Sequence, residues 1–138
     1  MINKPQLLLP IPLLVILIAA SCSILPSQYY DNGVSDEEYI RVASEAEEVQ
    51  AFLSIYPKPE IYVDRSSRLA VDFRFSKVTP ISTNQSWEGI RLRVFVDPKD
   101  KQVTDAFIDC KDNNGKQKFI EEELIEYLEQ YVKNQSCP

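Results

Sequence analysis

From Tyr39 onward the apolar positions recur every three or four residues. Tyr39, Val42, Ala43, Ala46, Val49, Leu53 and Tyr56 fall on one stripe, and Glu37, Arg41, Glu45 and Glu48 fall mostly on the other side. Ser35 stands where an N-cap is wanted, Glu38 completes a capping box, and Val34 is placed to staple against Tyr39. The pattern predicts one helix over roughly 36–55, stopped by Pro57 and Pro59. The period then changes to two. Ile61-Tyr62-Val63 is a short strand. Between Arg68 and Phe75, Leu69, Val71, Phe73 and Phe75 oppose Arg68, Ala70, Asp72 and Arg74, and between Ile90 and Asp97, Ile90, Leu92, Val94 and Val96 oppose Arg91, Arg93, Phe95 and Asp97. A turn at Asp97-Pro98-Lys99-Asp100-Lys101 returns the chain into a fourth strand from Val103 to Cys110. Residues 77–89, with Pro80, Asn84 and Trp87, read as a long connection. Residues 119–132 regain a helical stripe in Ile120, Leu124, Tyr127, Leu128 and Tyr131, with Glu121, Glu122 and Glu123 at the positive end of the dipole. The expected architecture is α+β: an N-terminal helix packed on a four-stranded antiparallel sheet, with a C-terminal helix.

Before Tyr39 the pattern is of another kind. Met1-Ile2-Asn3-Lys4 leads into a greasy run, Leu7-Leu8-Leu9-Pro10-Ile11-Pro12-Leu13-Leu14-Val15-Ile16-Leu17-Ile18, which ends in Ala19-Ala20-Ser21-Cys22. A cationic start, an apolar stretch and small residues before a cut site are the parts of a secretory signal peptide. The end of this segment resembles the lipobox of bacterial lipoproteins, with Ala19 where leucine is commonest. The resemblance implies cleavage before Cys22, a diacylglycerol on its thiol, and attachment to the cell membrane or outer membrane facing the periplasm or exterior. The alternatives are simple secretion and an uncleaved transmembrane anchor. Against the anchor, the run from Leu7 to Ala20 falls short of the ~20 apolar residues that a spanning helix needs and holds Pro10 and Pro12. The division expected is a signal peptide over 1–21, a lipidated tether over 22–34 and one domain over 35–138.

Composition narrows the function classes. The chain of 138 residues carries a formal charge of −6, and the predicted cut removes Lys4, so the mature body is more acidic still. That opposes nucleic-acid binding, whose affinity comes from neutralised phosphates, and leaves lipid rather than charge to hold the body at a membrane. No histidine is present, which removes Ser-His-Asp and Cys-His catalysis and the commonest ligand of zinc and iron. Three glycines, at 33, 89 and 115, do not make a phosphate-cradling loop. Asp109 to Gly115 lacks the spaced final glutamate of a calcium loop. Glu45, Glu47 and Glu48 and the set from Glu121 to Glu129 read as solvated helix faces rather than paired acids. No catalytic residue, cofactor or metal is expected.

With Cys22 assigned to lipid, Cys110 and Cys137 remain as an even pair in an oxidising compartment, which predicts one disulfide tying the last helix to the sheet. A redox pair is the other reading, although it would favour closer spacing. On the sheet, Tyr62, Arg74, Arg91, Arg93 and Phe95, joined by Phe107, share the face opposite Leu69, Val71, Leu92 and Val94. Arginine beside aromatic rings is a composition enriched at protein-binding hot spots. The competing reading pairs Asp72 and Asp97 with these arginines across strands and lays the second helix over the aromatics.

A long helix followed by a curled antiparallel meander, over about residues 35–110, looks like the cystatin-like and PepSY-like folds. That resemblance implies a binding or inhibitory module of the cell envelope. Two functions follow as expectations. One is a non-enzymatic lipoprotein that meets an envelope protein, and the other is a carrier holding a small apolar ligand against the sheet near Trp87.

Overall fold

The structure, a computed structural model, describes residues 32–76 and 89–137. Its elements are α1 (Asp36–Ser44), α2 (Glu47–Ile55), β1 (Glu60–Asp64), β2 (Ala70–Ser76), β3 (Gly89–Asp97), β4 (Gln102–Lys111), β5 (Gln117–Ile120) and α3 (Leu124–Asn134). The α+β class is as expected, with a sheet of five strands rather than four. Each strand pairs antiparallel with the next, in the order β1-β2-β3-β4-β5.

The segment 36–55 forms two helices instead of one. α1 starts as its sequence dictates: the Ser35 hydroxyl accepts the Glu38 N–H, and Glu38 turns its carboxylate to Arg41 instead of closing the box. It ends at Ser44, and Ala46 takes an extended conformation at the head of α2. The reason lies in the phase of the apolar stripe. At about 100° per residue, a continuous helix would carry Phe52 roughly 140° round from Tyr39 and away from the sheet. The break resets the phase. Val49 and Phe52 become fully buried beside Tyr39 and Ala43, and Leu53 is only partly buried. The Gln50 side-chain amide donates to the Ser44 carbonyl and so satisfies one acceptor at the broken end.

The second departure is at 117–123. Phe119 and Ile120, read as the start of the helix over 119–132, belong instead to β5, in which Lys118 and Ile120 oppose Cys110 and Ile108 of β4. A tight turn makes this possible. The Asp112 carboxylate accepts the N–H groups of Asn114 and Lys116, and its backbone carbonyl accepts that of Gly115, which has φ +77°. The helix begins only at Leu124, after Glu123 in a left-handed conformation, so Glu121 and Glu122 precede its dipole rather than fill its first turn.

The core lies between one face of the sheet and all three helices. Leu69, Phe73, Leu92 and Ile108 from the strands meet Phe52 and Leu128 from the helices. Leu124, Leu128 and Tyr131 of α3 join this same cluster, so α3 packs beside α2 and not on the far side of the sheet. At one end of the sheet the chains come so close that a Cβ on Gly89 would lie 2.0 Å from the Phe75 carbonyl oxygen, which restricts that position to glycine.

Candidate functional site: the helix-free face of the sheet

The strand registers fix which side chains meet on the other face. One row across the sheet runs Glu60, Arg74, Arg91, Asp109, Phe119; the next runs Tyr62, Asp72, Arg93, Phe107; a third runs Asp64, Ala70, Phe95, Asp105. The residues expected to bind a partner, Tyr62, Arg74, Arg91, Arg93 and Phe95, are therefore side by side, and no described helix covers them. Placing the C-terminal helix, α3, over these aromatics is incorrect: its apolar stripe joins Val49 and Phe52 in the core on the opposite face.

Charge on this face is internally matched. Asp72 is fully buried, and its carboxylate lies 2.7 Å from Arg74, 3.3 Å from Arg91 and 3.5 Å from Arg93. Arg91 continues to Asp109 and Arg93 to Asp64, so the ion pairs form one chain from β1 to β4. Asp109 also accepts the Gln117 amide at 2.6 Å, which draws β5 into the network. Burial pushes the Asp109 carboxyl above its usual range, against the pull of Arg91. At Asp64, burial also pushes upward, but the hydroxyl and N–H of Ser66 together with Arg93 hold the carboxyl below the usual range. The pairing of Asp72 with arginines is thus as the second sequence reading had it. Asp97 does otherwise: its carboxylate accepts the N–H groups of Lys99 and Asp100 in the hairpin turn, and these lower its pKa.

Aromatic rings flank the ion pairs. Phe95, Phe107 and Phe119 step across β3, β4 and β5 with centroids 5.9 Å and 5.7 Å apart, the second pair edge to face. The Arg68 guanidinium lies 3.9 Å over Phe95, and Arg74 lies 5.5 Å from the centroid of Tyr62. Arg91 and Arg93 are 16% and 17% exposed, whereas Tyr62 and Phe119, at opposite edges of the face, are 57% and 62% exposed. Arg68 and Asp105 are exposed on this face as well, whereas the expected Arg91 and Arg93 are largely buried within it. Sequence reasoning missed Asp64, Asp109 and Phe119. Asn114-Gly115 between two short alternating runs was the available signal for the hairpin that brings Phe119 here.

The face under the helices, which a carrier would use, is filled by Tyr39, Phe52, Phe73 and Leu128, all fully buried. Trp87 and Cys22 lie outside the described residues. Cys110 and Cys137 are at disulfide distance, with Cα atoms 5.7 Å apart, and the Cys137 N–H donates to the Lys111 carbonyl at 2.9 Å. Glu48, Asp105, Glu121, Glu123 and Glu126 border a shallow cleft between α2, β4 and α3. Among the described residues no group of three or more carboxylates and cysteines is placed to hold a metal ion, and no helix is long and apolar enough to cross a membrane. No protein-family model, no curated protein and no solved structure matches the chain.

Proposed function

We propose that this chain is an exported lipoprotein, held at a bacterial membrane by lipid on Cys22, and that it serves as a non-enzymatic binding module whose helix-free sheet face meets an envelope protein. The observation that carries the binding reading is the construction of that face: a charge-matched arginine and aspartate floor with Tyr62 and Phe119 raised at its two edges. Aromatic rings and arginine in place of scattered lysine are the composition of interface centres. The anchoring reading rests on Lys4, the apolar run and Ala19-Ala20-Ser21-Cys22, and the cysteine pair at disulfide distance agrees with an oxidising compartment.

Site-specific photocrosslinking in the native host tests the binding face. A photoreactive residue replacing Phe119 or Tyr62 is expected to give one discrete adduct, and the same residue at Glu37 or Glu129 on exposed helix surface is expected to give none. Equal adducts from both sets would overturn the assignment. For the anchor, Cys22→Ser is expected to lose lipid by intact mass and to leave the membrane fraction or remain unprocessed. Full maturation with normal membrane retention would overturn it.

A further inference from the structure

The place where the N-terminal segment joins the domain is fixed by contacts that have no role in the sheet's own pairing. The Asn32 side-chain amide donates to the Tyr39 hydroxyl at 2.7 Å and to the Pro98 carbonyl at 3.3 Å, while its oxygen accepts the Val34 N–H at 3.2 Å. Arg65, whose side chain is 9% exposed, donates to the Val34 carbonyl at 2.7 Å and to Asp36 at 2.6 Å, and its guanidinium lies 5.1 Å over the Tyr39 ring. Residues 32–36 are thereby held against two connections, the one from β1 to β2 at Arg65 and the one from β3 to β4 at Pro98.

In a meander, alternate connections fall at the same end of the sheet. Those two share the end where the chain enters. The β4–β5 turn at Asp112–Lys116 lies at the opposite end together with Cys137, whose N–H meets Lys111. β3 and β4 separate the ends by nine and ten residues, or about 30 Å at ~3.3 Å per residue. From Cys22 to Asn32 the chain has about ten steps of at most ~3.6 Å, a reach of no more than ~36 Å.

We infer that the end of the sheet carrying the Ser66–Arg68 and Pro98–Lys101 connections is the membrane-proximal end, and that the Asp112–Lys116 turn and the C-terminus of α3 point away from the bilayer. Inverting the domain would lift Asn32 by the ~30 Å length of the sheet and draw the connecting segment almost to its full extension, which costs chain entropy. The upright orientation turns the helix-free face sideways along the bilayer surface. It rests on the N-terminal attachment proposed above, and is the same whether lipid on Cys22 or an uncleaved leader makes that attachment.

The experiment uses the full chain matured in its host and reconstituted into phosphatidylethanolamine–phosphatidylglycerol vesicles that carry an acceptor dye on a fraction of headgroups. Lys99→Cys and Asn113→Cys, both at exposed positions, are labelled separately with a donor dye, with the unsubstituted protein as the background control. Energy transfer is expected to be roughly twofold or more stronger from position 99, for a ~30 Å difference in height. Equal transfer, or stronger transfer from position 113, would overturn the orientation. Intact mass and retention after a carbonate wash report the attachment separately. A chain washed free of the vesicles overturns the anchoring reading and the orientation together, whereas a retained chain with inverted transfer overturns the orientation alone.

Discussion

Asp72 is fully buried on a sheet face that no described helix covers, because the arginines it binds fold over it: Arg74, Arg91 and Arg93 each approach within 3.5 Å. One carboxylate thus compensates several guanidinium groups that have themselves lost most of their water. Asp72→Ala is expected to lower the unfolding free energy by about 3–5 kcal/mol, the usual cost of stripping one partner from a buried ion pair; urea denaturation measures it, and a loss under ~1 kcal/mol would show the arginines re-solvated. Its neighbours on the face respond to acid with opposite signs. The folded-state pKa of Asp64 is depressed, so its contribution is fully present above the unfolded value near ~3.9 and is lost as the pH falls through the folded value. The pKa of Asp109 is raised by burial, so its ionised form costs stability above the folded value, and that cost is relieved as the pH falls through it. Asp64→Asn should therefore make the fall in stability between about pH 5 and pH 2 shallower, and Asp109→Asn should make it steeper. Unfolding curves at a series of pH values separate the two, and the same change of slope in both variants would refute the assignment.

At the scale of elements, α3 depends on its two ends. Its first residue follows Glu123 in a left-handed conformation without a side-chain cap, and it closes on Gln135, also left-handed, whose N–H donates to the Tyr131 carbonyl. A short helix with such weak N-terminal capping is held by tertiary contacts more than by its own propensity. Leu124, Leu128 and Tyr131 supply them from the core side, and the Cys110–Cys137 pair fixes the far end to β4. Cys110→Ser with Cys137→Ser is expected to cost roughly 3–4 kcal/mol on the chain-entropy account of a cross-link. Thermal unfolding should show this loss, with hydrogen exchange rising first in α3. The denatured, unreduced protein should show neither of these thiols to titration; finding both free would refute the bond. All four expected strands were legible to within about two residues at each end, because alternation is a strictly local signal. The break at Ala46 was not, since no glycine or proline marks it and only the demand to bury Phe52 enforces it. β5 was misread because Ile120 suits a helical stripe and a strand equally well.

Across the described residues, the two faces of one sheet have different chemistry, and only one is closed by the described helices. Tyr62 and Phe119 rest on the other face without being part of the core, so Tyr62→Ala with Phe119→Ala should leave stability within ~0.5 kcal/mol of the parent while removing the photocrosslinked adduct obtained from a probe elsewhere on that face, such as at Asp105. Collapse of the fold instead would make these rings structural. Arg93 and Phe95 would be poorer probes: Arg93 is ion-paired with Asp64 and Asp72, and Phe95 is packed between Arg68 and Phe107. By itself the sequence determined the α+β class, the composition of each strand face and the cap of α1, since each follows from neighbours within one element or from total composition. Only the tertiary structure decided that α1, α2 and α3 all lie on the Leu92 face, that the helix must break for Phe52 to reach the core, and that Asp72, Asp109 and Asp64 join the arginines in one network. A period of two states which residues share a face, but not which face will be covered. That choice is made by packing between segments far apart in the chain, where no local pattern can express it.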